Sequence, residues 1–128
     1  MNREIRPTTI APPAANYAHA MLTEGPARWL HTAGVVPIAP DGSVPSDLAG
    51  QATQVWSNIA AILSEAQMSA GDVVSVTTYV VAGEELSPVM RARDEFLDGR
   101  RVASTLVTVS ALARPEWRVE IAVVAAAP

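Results

Sequence analysis

Apolar residues recur with two different periods along this chain, and each change of period marks an element. From Leu48 to Ala66, the residues Leu48, Ala52, Val55, Trp56, Ile59, Ile62, Leu63 and Ala66 fall at helical spacing. They form one stripe, as a helix with a single buried face requires. Gln51, Gln54, Ser57, Asn58 and Glu65 fall mostly off the stripe and read as solvated faces. Ser46 is expected to cap this helix, with Asp47 in its first turn. Ser69-Ala70-Gly71-Asp72 has the spacing of a capping box around a short turn. "VVSVTTYVV" (Val73 to Val81) then reads as a strand. A second helix is expected from about Glu85 to Leu97, with Pro88 tolerated because it lies in the first turn. Its inner stripe is Leu86, Val89, Met90, Arg93, Phe96 and Leu97, the stem of Arg93 skirting the edge. Two last strands, about Thr105 to Ala111 and Trp117 to Ala125, flank the turn "LARPE".

Upstream of the first helix the pattern is weaker. The first 28 residues are rich in Pro, Ala and Thr, with a short extended piece near Ile5 to Ile10. A strand is expected at Trp29 to Ala33, followed by the turn-rich "GVVPIAPDGSVPSD" with its Asp41-Gly42 signal. No repeat, low-complexity tract or linker divides the chain, so residues 1–128 read as a single domain. A domain of that length buries roughly two thirds of its unfolded surface.

The strands are apolar on both faces. Val74, Val76, Thr78 and Val80 share one face of their strand, and Val73, Tyr79 and Val81 share the other. The last strand repeats this, with Trp117, Val119, Ile121 and Val123 opposed by Ala122 and Val124. Two helices cover one face of a small sheet and not both. The second face is therefore expected to be buried by a partner subunit, with Tyr79, Leu106 and Val124 on or near it. The competing arrangement folds the N-terminal segment over that face.

Composition narrows the function classes. A net charge of −4 argues against a nucleic-acid partner, whose phosphates call for a basic face. No apolar run approaches the ~20 residues of a membrane span, and the N-terminus lacks a signal-peptide core. The absence of cysteine excludes disulfides and thiol chemistry, and makes the cytoplasm the expected location. His19 and His31 are the only imidazoles, and neither belongs to a metal, P-loop or dinucleotide pattern. No metal or cofactor is expected. Glu120 is the residue that calls for an explanation, since a carboxylate on a doubly covered strand needs a partner or a shifted pKa. A structural ion pair, with Arg118 for example, and a functional role weigh equally at this point.

Several stretches resemble one known family when taken in order. They are Tyr17 in "ANYAHA", "TAGVVP" (Thr32 to Pro37), Asp41-Gly42, Pro45 and Asp47, then "QATQVWSN" (Gln51 to Asn58), "GDVVSVTTYV" (Gly71 to Val80) and "RPEWRVEIAVVA" (Arg114 to Ala125). In that order and spacing they resemble the RidA/YjgF reactive-intermediate deaminases, long labelled "endoribonuclease L-PSP". The resemblance implies an α+β, chorismate-mutase-like fold with a mixed β-sheet and two helices packed on one face. It also implies a homotrimer with small-molecule clefts between subunits. In active members the cleft takes a small imine or enamine acid, and an arginine at the head of the penultimate strand grips its carboxylate. Carried over, Glu120 is the catalytic group that positions the hydrolytic water, and Tyr17, Gly34, Ser104, Thr105 and Leu106 surround the ligand.

One position departs from that pattern. Where active members read approximately Pro-Ala-Arg-Ser/Thr, this chain reads Val102-Ala103-Ser104-Thr105, after a short "LDGRR" loop. A serine offers one neutral hydrogen bond in place of a charged fork, which weakens small-acid binding by about 2–4 kcal/mol. Arg100, Arg101 and Arg118 are the candidate replacements. The expectation is a Rid-type protein acting by hydrolytic imine or enamine deamination, or a related reaction, on a substrate other than a simple 2-imino acid. The alternative is a non-catalytic metabolite-binding trimer. An endoribonuclease is the least favoured of the three.

Overall fold

The computed structural model describes residues Met1–Pro128. Nine-residue strands at Val73–Val81 (β4) and Val119–Ala127 (β6) form the centre of a four-stranded sheet. Arg28–His31 (β3) and Ala103–Val109 (β5) form its edges, in the order β3-β6-β4-β5. β6 runs antiparallel to both β3 and β4, while β4 and β5 are parallel and are connected through the helix Ser87–Phe96 (α2). The last two strands flank their turn as expected but are not neighbours, because β4 lies between them. The longer helix, Leu48–Glu65 (α1), begins one residue later than the sequence pattern indicates: Asp47, not Ser46, is the cap, and its side chain accepts from the Gly50 amide at 3.1 Å. The capping box at Ser69 and Asp72 is present, and it closes a short 3-10 turn ahead of β4.

Both helices lie on one face of the sheet. Val55, Trp56, Ile59 and Leu63 of α1 and Val89 of α2 join Val76, Val80, Val119, Ile121 and Val123 in one buried cluster. Trp56 stacks on Phe96 with ring centroids 4.5 Å apart, which ties α1 to α2.

The N-terminal segment differs from expectation. Its strand is Asn2–Ile5 (β1), ahead of the expected Ile5 to Ile10, and it pairs antiparallel with Ala20–Thr23 (β2) as a separate two-stranded sheet. It does not blanket the second sheet face. Ala18 bridges the start of β5 at Ala103, and Asn2 reaches the Ala126 carbonyl at 3.0 Å. Val107 and Trp29 on the uncovered side remain 41% and 50% exposed.

The helix-free face also corrects two placements: a register shift between Val73 and Ser75 turns Val73 into the helix-packed core beside Ala125, and Leu106 lies on that side as well. Leu106 pairs with Thr78, which is buried under the helices, and it packs against the main core. Val107, its neighbour, pairs with Tyr79 and takes the position on the second face. Strand alternation explains both corrections, since a shift of one residue exchanges faces.

Candidate functional site

Glu120 projects from the helix-free face of β6, opposite Tyr79. The chain just after β3 brings Gly34 against it. Thr32 and Val35 both bond to β6, through Thr32 N to the Val123 carbonyl at 3.0 Å and Val35 N to the Ile121 carbonyl at 2.7 Å. Ala33 and Gly34 bulge between these anchor points. A Cβ built on Gly34 would stand 1.9 Å from Glu120 Oε2, so only a hydrogen fits there while the carboxylate keeps its place. Glu120 has no partner in Arg118, whose guanidinium bonds Glu84 through Nε at 2.7 Å.

Two amides of α1 hold the chain on either side of this carboxylate. Gln51, expected on a solvated face, is 1% exposed. Its Nε2 donates to the Pro45 and Glu116 carbonyls at 2.9 and 2.8 Å, and its Oε1 accepts from the Arg118 amide at 2.7 Å. Asn58 Nδ2 donates to the Val36 and Ile38 carbonyls at 3.1 and 3.0 Å, and Asn58 Oδ1 accepts from Gln54. Gln51 therefore fixes the approach to Glu120, and Asn58 fixes the exit from Gly34.

The other expected site residues gather elsewhere. Tyr17, Ser104, Thr105 and Leu106 line a cavity of about 410 Å³ together with Leu86, the residue that caps α2, and Arg93 within it. A larger concavity of about 580 Å³ lies outside α2, but Asp94, Glu95 and Asp98 line it without a buried counter-group. Tyr17 is held at the smaller cavity by its backbone carbonyl, which accepts from Arg101 Nε at 3.1 Å. One chain does not unite the two groups. Glu120 and β5 are separated by the width of β4, roughly 10 Å across two strand spacings. Ser104 and Leu106 also share the helix-facing side of β5, opposite Val76 and Thr78.

None of the three arginines proposed as replacements for the missing strand-head guanidinium reaches Ser104. Arg100 donates to the carbonyls of Ala70 and Val73, and burial pushes its pKa below the ordinary value while Asp72 opposes the shift. Arg101 pairs with Glu4 at 3.0 Å, and Arg118 pairs with Glu84. The guanidinium that does reach Ser104 is that of Arg93, from α2: Nη1 lies 3.4 Å from Ser104 Oγ. The signal in the sequence was an arginine within an otherwise apolar helical stripe.

The family described as Endoribonuclease L-PSP matches residues 8–127. The chain belongs to this RidA/YjgF family. Among its Rid relatives, a RutC family protein of Pyrococcus abyssi is 32% identical over 115 residues, 88% of either chain. A 2-iminobutanoate/2-iminopropanoate deaminase of Escherichia coli is 42% identical over 50 residues, 38% of this chain and 39% of that protein. A solved Rid-family protein of unknown function from Yersinia pestis superposes with a TM-score of 0.85 at 32% identity, covering 98% of both chains. The Rid fold is thus the α+β, chorismate-mutase-like arrangement of two helices on a mixed sheet. No helix of the chain is long and apolar enough to cross a membrane.

Proposed function

We propose that this Rid protein is a cytoplasmic hydrolase that deaminates an imine or enamine other than a simple 2-imino acid, in clefts between the subunits of a homotrimer. One observation carries the reading. The chain presents its carboxylate, Glu120 against Gly34, and its cavity, Tyr17 to Leu106, on two separate surfaces, and a cleft using both needs a second copy. The E. coli relative that bears the deaminase name supports the reaction class.

In the proposed chemistry Glu120 takes a proton from water as its oxygen adds to the C=N carbon, giving a carbinolamine. The proton then passes to nitrogen, the C–N bond breaks, and ammonia leaves as the carbonyl forms. The serine at the strand head removes the charged fork that would favour simple 2-imino acids. Imines generated in situ from a panel of amino acids and amines by an oxidase test the proposal. The protein should accelerate ammonia release from at least one imine other than the simple 2-imino acids, and Glu120→Gln should abolish the acceleration. No acceleration across the panel refutes the reaction. Ligand-induced stabilisation without turnover would then favour a metabolite-binding trimer, the reading that the Ser104 substitution supports.

A further inference from the structure

Arg93 is the one charged side chain that the folded chain buries, at 5% exposure. A guanidinium out of water needs its donors satisfied, because an unpaired N–H there costs a large part of its hydration. Arg93 is poorly satisfied. Nε donates to Asp94 at 3.1 Å, but that carboxylate is 37% exposed and also accepts from Asn16 at 3.3 Å. Nη1 has only the long 3.4 Å contact to Ser104 Oγ, and Nη2 is buried with no hydrogen-bond partner. Had the position required only an apolar stem under α2, leucine or methionine would fill it without this penalty. Arg93 and Ser104 both line the cavity between α2 and β5. An acceptor with two oxygens entering there would meet Nη1 and a hydroxyl donor together, and a small turn of the guanidinium would bring the unpartnered Nη2 within its reach.

We infer that Arg93 is the anion anchor of this cavity and that its ligand is a small organic acid, held by a forked guanidinium–carboxylate pair with Ser104 donating a third hydrogen bond. The inference rests on the reading above that this cavity forms one half of the ligand cleft. Such an anchor lies beside the strand rather than at the tip of an arginine projecting from it. The carboxylate it holds is therefore displaced from the strand-head position that the resemblance assigns to the carboxylate of a simple 2-imino acid.

Binding of 4-oxopentanoate and of its neutral methyl ester to the full-length protein, followed by calorimetry, tests the anchor apart from catalysis. Wild type should prefer the acid by roughly tenfold to a hundredfold, the range for a hydrogen-bonded charge. Arg93→Met should lose that preference, and Arg93→Lys, which keeps the charge without the fork, should retain part of it. Equal affinity for acid and ester, no binding of either, or a folded Arg93→Met protein that still prefers the acid would each overturn the inference. Should Arg93→Met not fold, the side-chain N–H resonances of Arg93 in wild type, identified by their loss in Arg93→Lys, should shift with the acid and not the ester. Their indifference to the acid overturns the inference as well. A preference for the acid without turnover of any imine would leave the anchor standing and sink the hydrolase. Turnover of a neutral imine unaffected by Arg93→Met would do the reverse.

Discussion

Gly34 and Glu120 constrain each other, and that makes Gly34 a position where function and stability separate. Its backbone is not in the left-handed region, so alanine adds no backbone strain. The added methyl would instead collide with the end of a flexible side chain, which swings aside. Gly34→Ala should thus change stability by less than about 1 kcal/mol and lower imine hydrolysis on the order of a hundredfold. Denaturant melts alongside the oxidase-coupled assay would check both, and unchanged rates would show that the carboxylate position does not matter. Ser104→Arg leads to the opposite expectation. The new guanidinium would enter where Arg93 Nη1 already lies 3.4 Å from the serine oxygen, setting two like charges in a partly desolvated space. The single substitution should therefore lower the melting temperature, and the added Arg93→Met should recover it. A Ser104→Arg protein as stable as wild type would contradict the placement of Arg93. Glu120, Gly34 and Tyr17 stood out because they sit in ordered motifs, and the structure brings Glu120 against Gly34 while Tyr17 lies at the separate cavity. Arg93 was not, because an arginine in an apolar stripe equally describes a stem that snorkels. The fates of Arg100, Arg101 and Arg118 were also hidden, since their partners lie 27, 84 and 34 residues away along the chain.

The helices and long strands followed from periodicity to within about two residues, β5 starting two residues earlier and β6 two residues later than expected. β4 runs from Val73 to Val81 as its apolar run indicates, and α1 and α2 start within about two residues of their expected positions. Sequence pattern failed where polar side chains satisfy distant backbone. Gln51 and Asn58 have the composition of a wet helix face, yet they bond carbonyls in the loops ahead of α1, ahead of β6 and after Gly34. Such contacts have no local period to read. Replacing Gln51 with leucine would keep most of its volume and strand two carbonyls and one amide in a dry site. The expected cost is about 2–4 kcal/mol, or roughly 10 °C in melting temperature for a domain of this size. A loss within about 0.5 kcal/mol would mean that water replaces the amide there. The hairpin Asn2–Ile5 with Ala20–Thr23 was likewise hidden, because its strands are short and lie in a Pro- and Ala-rich segment with no clear alternation.

At the scale of the whole molecule, the helix-free sheet face remains unaccounted for within one chain. Val107 is 41% exposed at its edge and Trp29 50% exposed at the other, where it stacks on His31. Tyr79, Ala122 and Val124 lie between, half-buried. An apolar strip of this kind is seldom left in water, and the N-terminal hairpin passes beside it rather than over it. Partner subunits are the proposed cover, and the same contact would carry Glu120 of one copy toward the Tyr17 cavity of another. Light scattering at micromolar concentration should accordingly give three times the 13.5 kDa of one chain. Val107→Asp, which charges the strip without touching the helix-packed core, should shift that mass toward one chain. It should also abolish imine hydrolysis while leaving the helical signal intact, because each half of the site would then stand alone. A wild-type monomer would overturn the assembly. A monomeric Val107→Asp that remained fully active would show that one chain holds a complete site, and the reading of Glu120 and the cavity as two halves would fall with it.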